Sequence, residues 1–431
     1  MKTKIRHINR ISNPYGGILF CMEELQRKGI PRLIDNFLGK RVKQAKYSYS
    51  DVILSWVYSV LCGSERLEDV KQLKHYFSEI PNNRHPSPDR IADIFKSFAT
   101  PVTKHYKETV DHELNLNIPL NELLLHTALK LGQLNKNSNA TLDYDNVITP
   151  CEKYDSRKTY SEVIGYFPSV AFIGKTPVYI ENRNGNSVAN YQLLETLERS
   201  INIVEKRGIK IKRFRSDSAA YSKNVLLYLN QKGIDFFIRA QNSNAIFRKA
   251  LESEDGWENV IIGDMPSQAY SFEYDLYENT YRVVVSKLRD SRQTKLNKYS
   301  NDYYTYRAII TNNRKMSNQE VISFYNQRGA IELNFTTLLN DWNWKRLPFS
   351  FLNQNTVFMI MGAIGNIIYN YLLSHFSKKL HFVKSNYKLK NFIFNFITVS
   401  LEWTFENNEK VACINSDRDY SPLYARPPSI N

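Results

Sequence analysis

IKIKRFRSDSAAYSKNVLLYLNQKGIDFFIRA, residues 209–240, passes from strand to helix to strand and sets the fold class. The first nine residues alternate and are rich in β-branched and basic side chains. SKNVLLYLNQKG (222–233) carries apolar residues at helical spacing and ends on glycine, and DFFIRA (235–240) is again strand-like. Upstream, ATLDYDNVI (140–148) and SVAFIGKTPVYIE (169–181) read as strands, and YQLLETLERSINIVEKRG (191–208) reads as an amphipathic helix closed by glycine. Strands and helices in this order predict a mixed α/β domain.

Outward from that block the texture changes. Residues 1–137 read as mostly helical, with YSDVILSWVYSVLCG (49–63) capped by Ser50 and Asp51, and DRIADIFKSFA (89–99) introduced by Pro86 and Pro88. Residues 241–302 lose the helical period and predict a β-rich insertion, as in YSFEYDLYENTYRVVVSKL (270–288). YTYRAIITNN (304–313) returns to strand, and NQEVISFYNQRGAIELNFTTLLNDW (318–342) is helical. VFMIMGAIGNIIYNYLL (357–373) is about one turn short of a membrane span and carries Asn366 and Asn370, so a buried helix is expected and no membrane. The division expected is 1–137, 138–240, 241–302, 303–376 and a basic, aromatic segment at 377–431.

The 431 residues exceed what one core usually supports, which predicts two or three domains. Fifty-eight Lys and Arg oppose 43 Asp and Glu, for a net charge of +15. Such a field attracts polyanions, and the Lys- and Arg-rich opening to Lys46 suits a helical domain that grips a duplex. A solvated charged surface explains the same composition. Met1–Arg10 is basic without a following apolar run, so no secretory leader is expected. Cys21, Cys62, Cys151 and Cys413 form no CxxC pair, and the eight histidines show no HxH or HExxH spacing, which argues against zinc and disulfides. No glycine loop ends in GK[ST], so ATP chemistry is not expected.

Acidic residues stand at three places useful to a metal enzyme. Asp143 and Asp145 share one face of a strand, Asp217 ends another, and Glu332 lies inside the long helix. Each has a bland reading: a strand-closing turn, a helix cap, and a solvated helix carboxylate. Tyr325, Arg328 and Glu332 fall three and four apart on one helical face, which suits DNA phosphate and metal but equally suits a surface Arg–Glu pair.

Tyr325, two residues, Arg328, three residues and Glu332 resemble the signature of DDE-class insertion-sequence transposases. The ordered set LDYDN, GYFPSVAFIG, ENRNGNS, FRSDSAAY and YNQRGAIE is most similar to the insertion-sequence 1380 family, over essentially the whole chain. The resemblance implies a ribonuclease-H-like catalytic core and two Mg²⁺ ions, with Mn²⁺ able to substitute. It implies Asp145, Asp217 and Glu332 as catalytic metal ligands, with Asp143 in reserve for the first. Tyr325 and Arg328 would hold DNA. The family's lysine would fall at Leu339, so Lys345 or Arg346 is expected to replace it. The partners implied are double-stranded DNA (element ends and target) and a second copy of the chain, in a bacterial cytoplasm. The alternatives are a related nuclease without strand transfer and an inactive DNA-binding descendant.

Overall fold

The computed structural model describes residues 12–81, 83–107, 110–241, 244–253, 255–289, 296–297 and 303–424. Its centre is an eleven-stranded mixed sheet. In chain order the strands are β1 (Thr103–Lys107), β2 (Val110–Asn115), β3 (Asn139–Asn146), β4 (Ser169–Ile173), β5 (Thr176–Arg183) and β6 (Lys210–Ser216). They continue as β7 (Asp235–Arg239), β8 (Glu258–Ile262), β9 (Met265–Leu276), β10 (Asn279–Arg289) and β11 (Tyr304–Thr311). The spatial order is β1-β2-β5-β4-β3-β6-β7-β11-β10-β9-β8. Strands β3, β6 and β7 run parallel, while every other pairing in the sheet is antiparallel.

Several expectations need correction. The mostly helical stretch 1–137 contains the β1–β2 hairpin, which joins the main sheet where Leu114 and Asn115 of β2 pair with Arg183 and Asn182 of β5. Within 241–302, β8, β9 and β10 extend the central sheet through β11. That stretch also begins with a short helix, Asn244–Leu251, that its sequence pattern did not suggest. Residues 377–431 are more than a tail, because Ser400–Glu406 and Glu409–Asn415 form a hairpin whose Leu401 bridges to Asn13.

The helices explain why no boundary between separate cores falls at residue 137. Helix α1 (Tyr49–Leu61) is buried on nearly every side, and with α2 (Pro88–Ser97) and α3 (Ile118–Lys130) it shares one apolar cluster with the sheet. Its cap is Ser48, whose side chain accepts from Asp51 N–H in a capping box; Ser50 instead donates to Asp35. Helix α4 (Leu193–Glu205) and helix α5 (Lys223–Gln231) connect β5 to β6 and β6 to β7.

After β11 come α6 (Asn318–Asn326), a 3₁₀ turn (Gln327–Gly329), α7 (Ala330–Asn340) and the apolar α8 (Leu352–Ser377). Within α8, 89% of the apolar window is covered by protein. The helix packs on α1, α2, α3, β2 and β5, which makes it the central post of the shared core.

Two tryptophans fix the end of α7 against this post. Trp342 and Trp344 are fully buried, and Trp344 Nε1 donates to the Met359 carbonyl at 3.1 Å. Trp342 lies on Gly365, where an added Cβ would fall well inside the ring's van der Waals surface. Gly365→Ala is therefore expected to overpack the core and cost about 1–3 kcal/mol. Denaturant unfolding checks this, and an unchanged midpoint contradicts it.

Candidate active site

The pleat of β3 divides its residues. Leu142 and Tyr144 are buried in the main apolar cluster, which leaves Asp143 and Asp145 on the opposite face. Strand β6 runs parallel beside β3 in a register that pairs Asp143 with Arg215 and Tyr144 with Ser216. The next step sets Asp145 beside Asp217, at the carboxyl ends of two adjacent strands, where open α/β sheets place ligands. On the other side of β6, Ile238 pairs with Ser216, so Arg239 follows beside Asp217.

The helical arm carrying Glu332 lies over this edge. A capping box between Ser317 and Glu320 starts α6. Arg215 then locks the arm to the sheet. Its guanidinium donates to both oxygens of Asp143, at 2.6 and 2.8 Å, and to the Phe324 carbonyl at 2.6 Å. It also reaches Gln327 Oε1 at 3.3 Å, with the Phe324 ring stacked 4.6 Å from it. Both oxygens of Asp143 thus accept from one buried guanidinium fork, which ties this carboxylate to the arm.

Asp145 has a different environment. Arg328 Nη2 donates to its Oδ2 at 2.7 Å, and the Asn146 N–H donates to Oδ1 at 2.9 Å. Burial nevertheless pushes its pKa up to about 6, with Asp217 and Glu332 adding to the rise and Arg328 opposing it. Asp145 therefore senses the charge of both other carboxylates. Arg328 answers to Asp145, and among the described residues it makes no pair with Glu332, so the surface-pair explanation of the helix spacing does not hold.

Asp217 both caps and faces the site. Its Oδ1 accepts from Ala219 N–H at 3.0 Å, beginning the 3₁₀ turn Ser218–Ala220. Tyr325 is half-buried nearby. Burial raises its phenol pKa, Arg328 and Arg239 pull it back, and Asp217 and Asp145 push it up again. The phenol stays protonated and can donate. Glu332 is exposed, in the first turn of α7.

Asp145, Asp217, Tyr325, Arg328 and Glu332 are thus gathered, while two expected residues fall elsewhere. Leu339 packs partly buried against the apolar core, and the turn beyond it faces the helical layer. There Arg346 pairs with Glu65, and Lys345 is exposed on the same 3₁₀ turn. Sequence reasoning missed Arg215 and Arg239. Alternation in RFRSD does put Arg213, Arg215 and Asp217 on one face, a signal that was available.

Among the described residues no three acidic, His or Cys side chains are drawn to ligand spacing. The donors nevertheless suit a hard dication: three carboxylates supply oxygen only, and a bound cation would offset both the burial and the neighbouring charges that raise Asp145.

The sequence profile described as Transposase DDE domain group 1 matches residues 10–392. A comparison with curated proteins finds no match. Among solved structures, a piggyBac transposase synaptic complex with hairpin DNA is similar at 11% identity, with a TM-score of 0.44 over 89% of this chain and 80% of that one. On the strength of the profile match along most of its length, the chain belongs to the DDE transposase family, group 1.

Proposed function

We propose that the protein is a cut-and-paste transposase that binds the terminal inverted repeats of its element and catalyses metal-dependent strand cleavage and strand transfer. The observation that carries this reading is the in-register pair Asp145 and Asp217, with Glu332 held over them by an arm anchored through Arg215. The insertion-sequence 1380 assignment rests on the ordered motifs alone.

Strand order and direction support a ribonuclease-H-like core. Antiparallel β5, β4 and β3 continue into β6 and β7, both parallel to β3. Asp145, Asp217 and Glu332 would hold two Mg²⁺ ions, for which Mn²⁺ could substitute. When bound, such ions activate the attacking oxygen and stabilise the leaving one in a phosphodiester displacement. Arg328, released from Asp145, is placed to grip a phosphate in its fork, and Tyr325 to donate its phenol to the backbone. The basic helical region within 1–137 is the proposed reader of the repeats and, with a second copy, the proposed pairing surface; its first eleven residues lie outside those described. A bacterial cytoplasmic location belongs to the same proposal.

Wild type is expected to nick DNA carrying the repeats that flank its own gene when Mg²⁺ is added. Asp217→Asn is expected to lose more than about 100-fold, beyond the cost of removing a mere outer-shell partner. Equal cutting by both would refute the assignment of Asp217. Tight binding by both without cutting would support a DNA-binding descendant instead.

The elevated Asp145 also predicts a pH dependence. Without metal the folded state holds this proton more tightly than the unfolded chain. Its stabilising contribution is therefore present below the usual carboxylate range and is lost as the pH rises through about 6. A metal ion competes with that proton, so Mn²⁺ affinity should fall roughly tenfold per unit below pH 6 and level off above 7. Calorimetric titration between pH 5 and 8 tests this, and a flat profile contradicts it.

A further inference from the structure

Beside the carboxylates, on the same face of the sheet, two arginines stand without partners among the described residues. Arg239 ends β7 one register step beyond Ile238–Ser216, next to Asp217. In β11, Ile309 pairs with Arg239, so Arg307, two residues away, shares the face one row further from the strand ends. The row across the sheet thus reads Asp145, Asp217, Arg239, with Arg307 diagonal to the last and neighbouring strands about 4.8 Å apart. Both arginines are exposed, and no described acceptor meets either guanidinium.

Their surroundings make them a site and not scattered surface charge. Arg239 and Arg307 line one crevice of about 50 Å³ together with Tyr325, Asn326, Ser286 and Leu288. That space accepts a few waters or one oxyanion, but no base. Tyr325 joins the crevice to the carboxylates, since its phenol feels Arg239 on one side and Asp145 and Asp217 on the other. Among the described residues no acidic side chain lines the crevice. A solvated edge would explain two exposed arginines, but it would not place both on the face that carries the carboxylates, around one cleft, with Arg239 in the carboxylate row and Arg307 diagonal to it.

We propose that Arg239 and Arg307 form a phosphate-binding site for the nucleotide next to the scissile bond, with the Tyr325 phenol as a third donor. The site takes the DNA backbone irrespective of base, because guanidinium forks read phosphate oxygens and the crevice excludes bases. Its position on one side of the carboxylates only gives the bound strand a direction: the cut phosphate at Asp145 and Asp217, and the next along the row toward β11. The inference rests on the transposase reading above.

The test uses full-length protein, Mg²⁺ and repeat-end DNA in three forms: one unmodified and continuous past the cut on both sides, and two in which a neutral methylphosphonate replaces one or the other of the phosphates next to the scissile one. Arg239→Gln/Arg307→Gln should bind the unmodified DNA more than about tenfold more weakly, with a salt slope about one unit shallower, as for the loss of one phosphate contact. Wild type should suffer a similar loss on one methylphosphonate DNA and not on the other, and the double variant should show no further loss on that same DNA. Arg239→Lys/Arg307→Lys should recover some of the affinity, which separates charge from folding. Binding by wild type that the glutamine variant leaves unchanged would overturn the site while leaving the transposase reading intact. Additive losses for protein and DNA changes would overturn it as well. Wild type that neither binds nor cuts the repeats would overturn the transposase reading, and this inference with it.

Discussion

The architecture of the catalytic edge depends on the buried guanidinium of Arg215. A charge removed from water is costly unless its donors are met, and here Asp143, the Phe324 carbonyl, Gln327 and the Phe324 ring meet them. Those partners come from the neighbouring strand β3 and from the arm that follows β11, while Arg215 itself stands on β6. One side chain thereby fixes the spacing between the strand carrying Asp145, the strand carrying Asp217 and the helix carrying Arg328 and Glu332. Removing one member of such a pair costs about 3–5 kcal/mol, because the other is left buried and unpaired.

Register does the rest. A slip of one residue in β3 would turn Leu142 and Tyr144 toward the arm and drive both aspartates into the apolar cluster, an exchange the core strongly opposes. At its far end the arm is held by Trp342 and Trp344 against the glycine-lined face of α8. The same helix that passes for a membrane segment by composition is therefore what anchors the far end of the arm that carries Arg328 and Glu332. Arg328 completes the arrangement by pairing with Asp145 at 2.7 Å.

Much of this was legible in the sequence because it is local. Alternation in LDYDN and RFRSD assigned faces, and the helical spacing of Tyr325, Arg328 and Glu332 brought them to one side. What was not legible depends on contacts far along the chain. Asp143 and Asp145 are equivalent in the strand pattern, and only Arg215, 72 residues later, separates the anion that builds from the one that faces the site. The hairpin TKHYK and VDHELN lacks apolar alternation, and it joins the sheet through pairing with β5. Likewise, no local signal shows that the inserted strands prolong the central sheet. The expectation for Lys345 and Arg346 followed distance along the chain, whereas the turn after Trp342 sends that stretch to the helical layer, where Arg346 meets Glu65.

On the reading proposed above, Asp145, Asp217 and Glu332 form one cation site, and Arg328 leaves Asp145 when that site is filled. A crystal structure of the protein trapped on repeat-end DNA with Mn²⁺ tests it most directly through the metal's anomalous scattering. The account predicts anomalous peaks bounded by the three carboxylates, with Arg328 withdrawn from Asp145 and turned to a phosphate. Carboxylates more than about 10 Å apart, too far to share ions roughly 3.5–4 Å from one another, or Mn²⁺ bound elsewhere while Arg328 still holds Asp145, would contradict it.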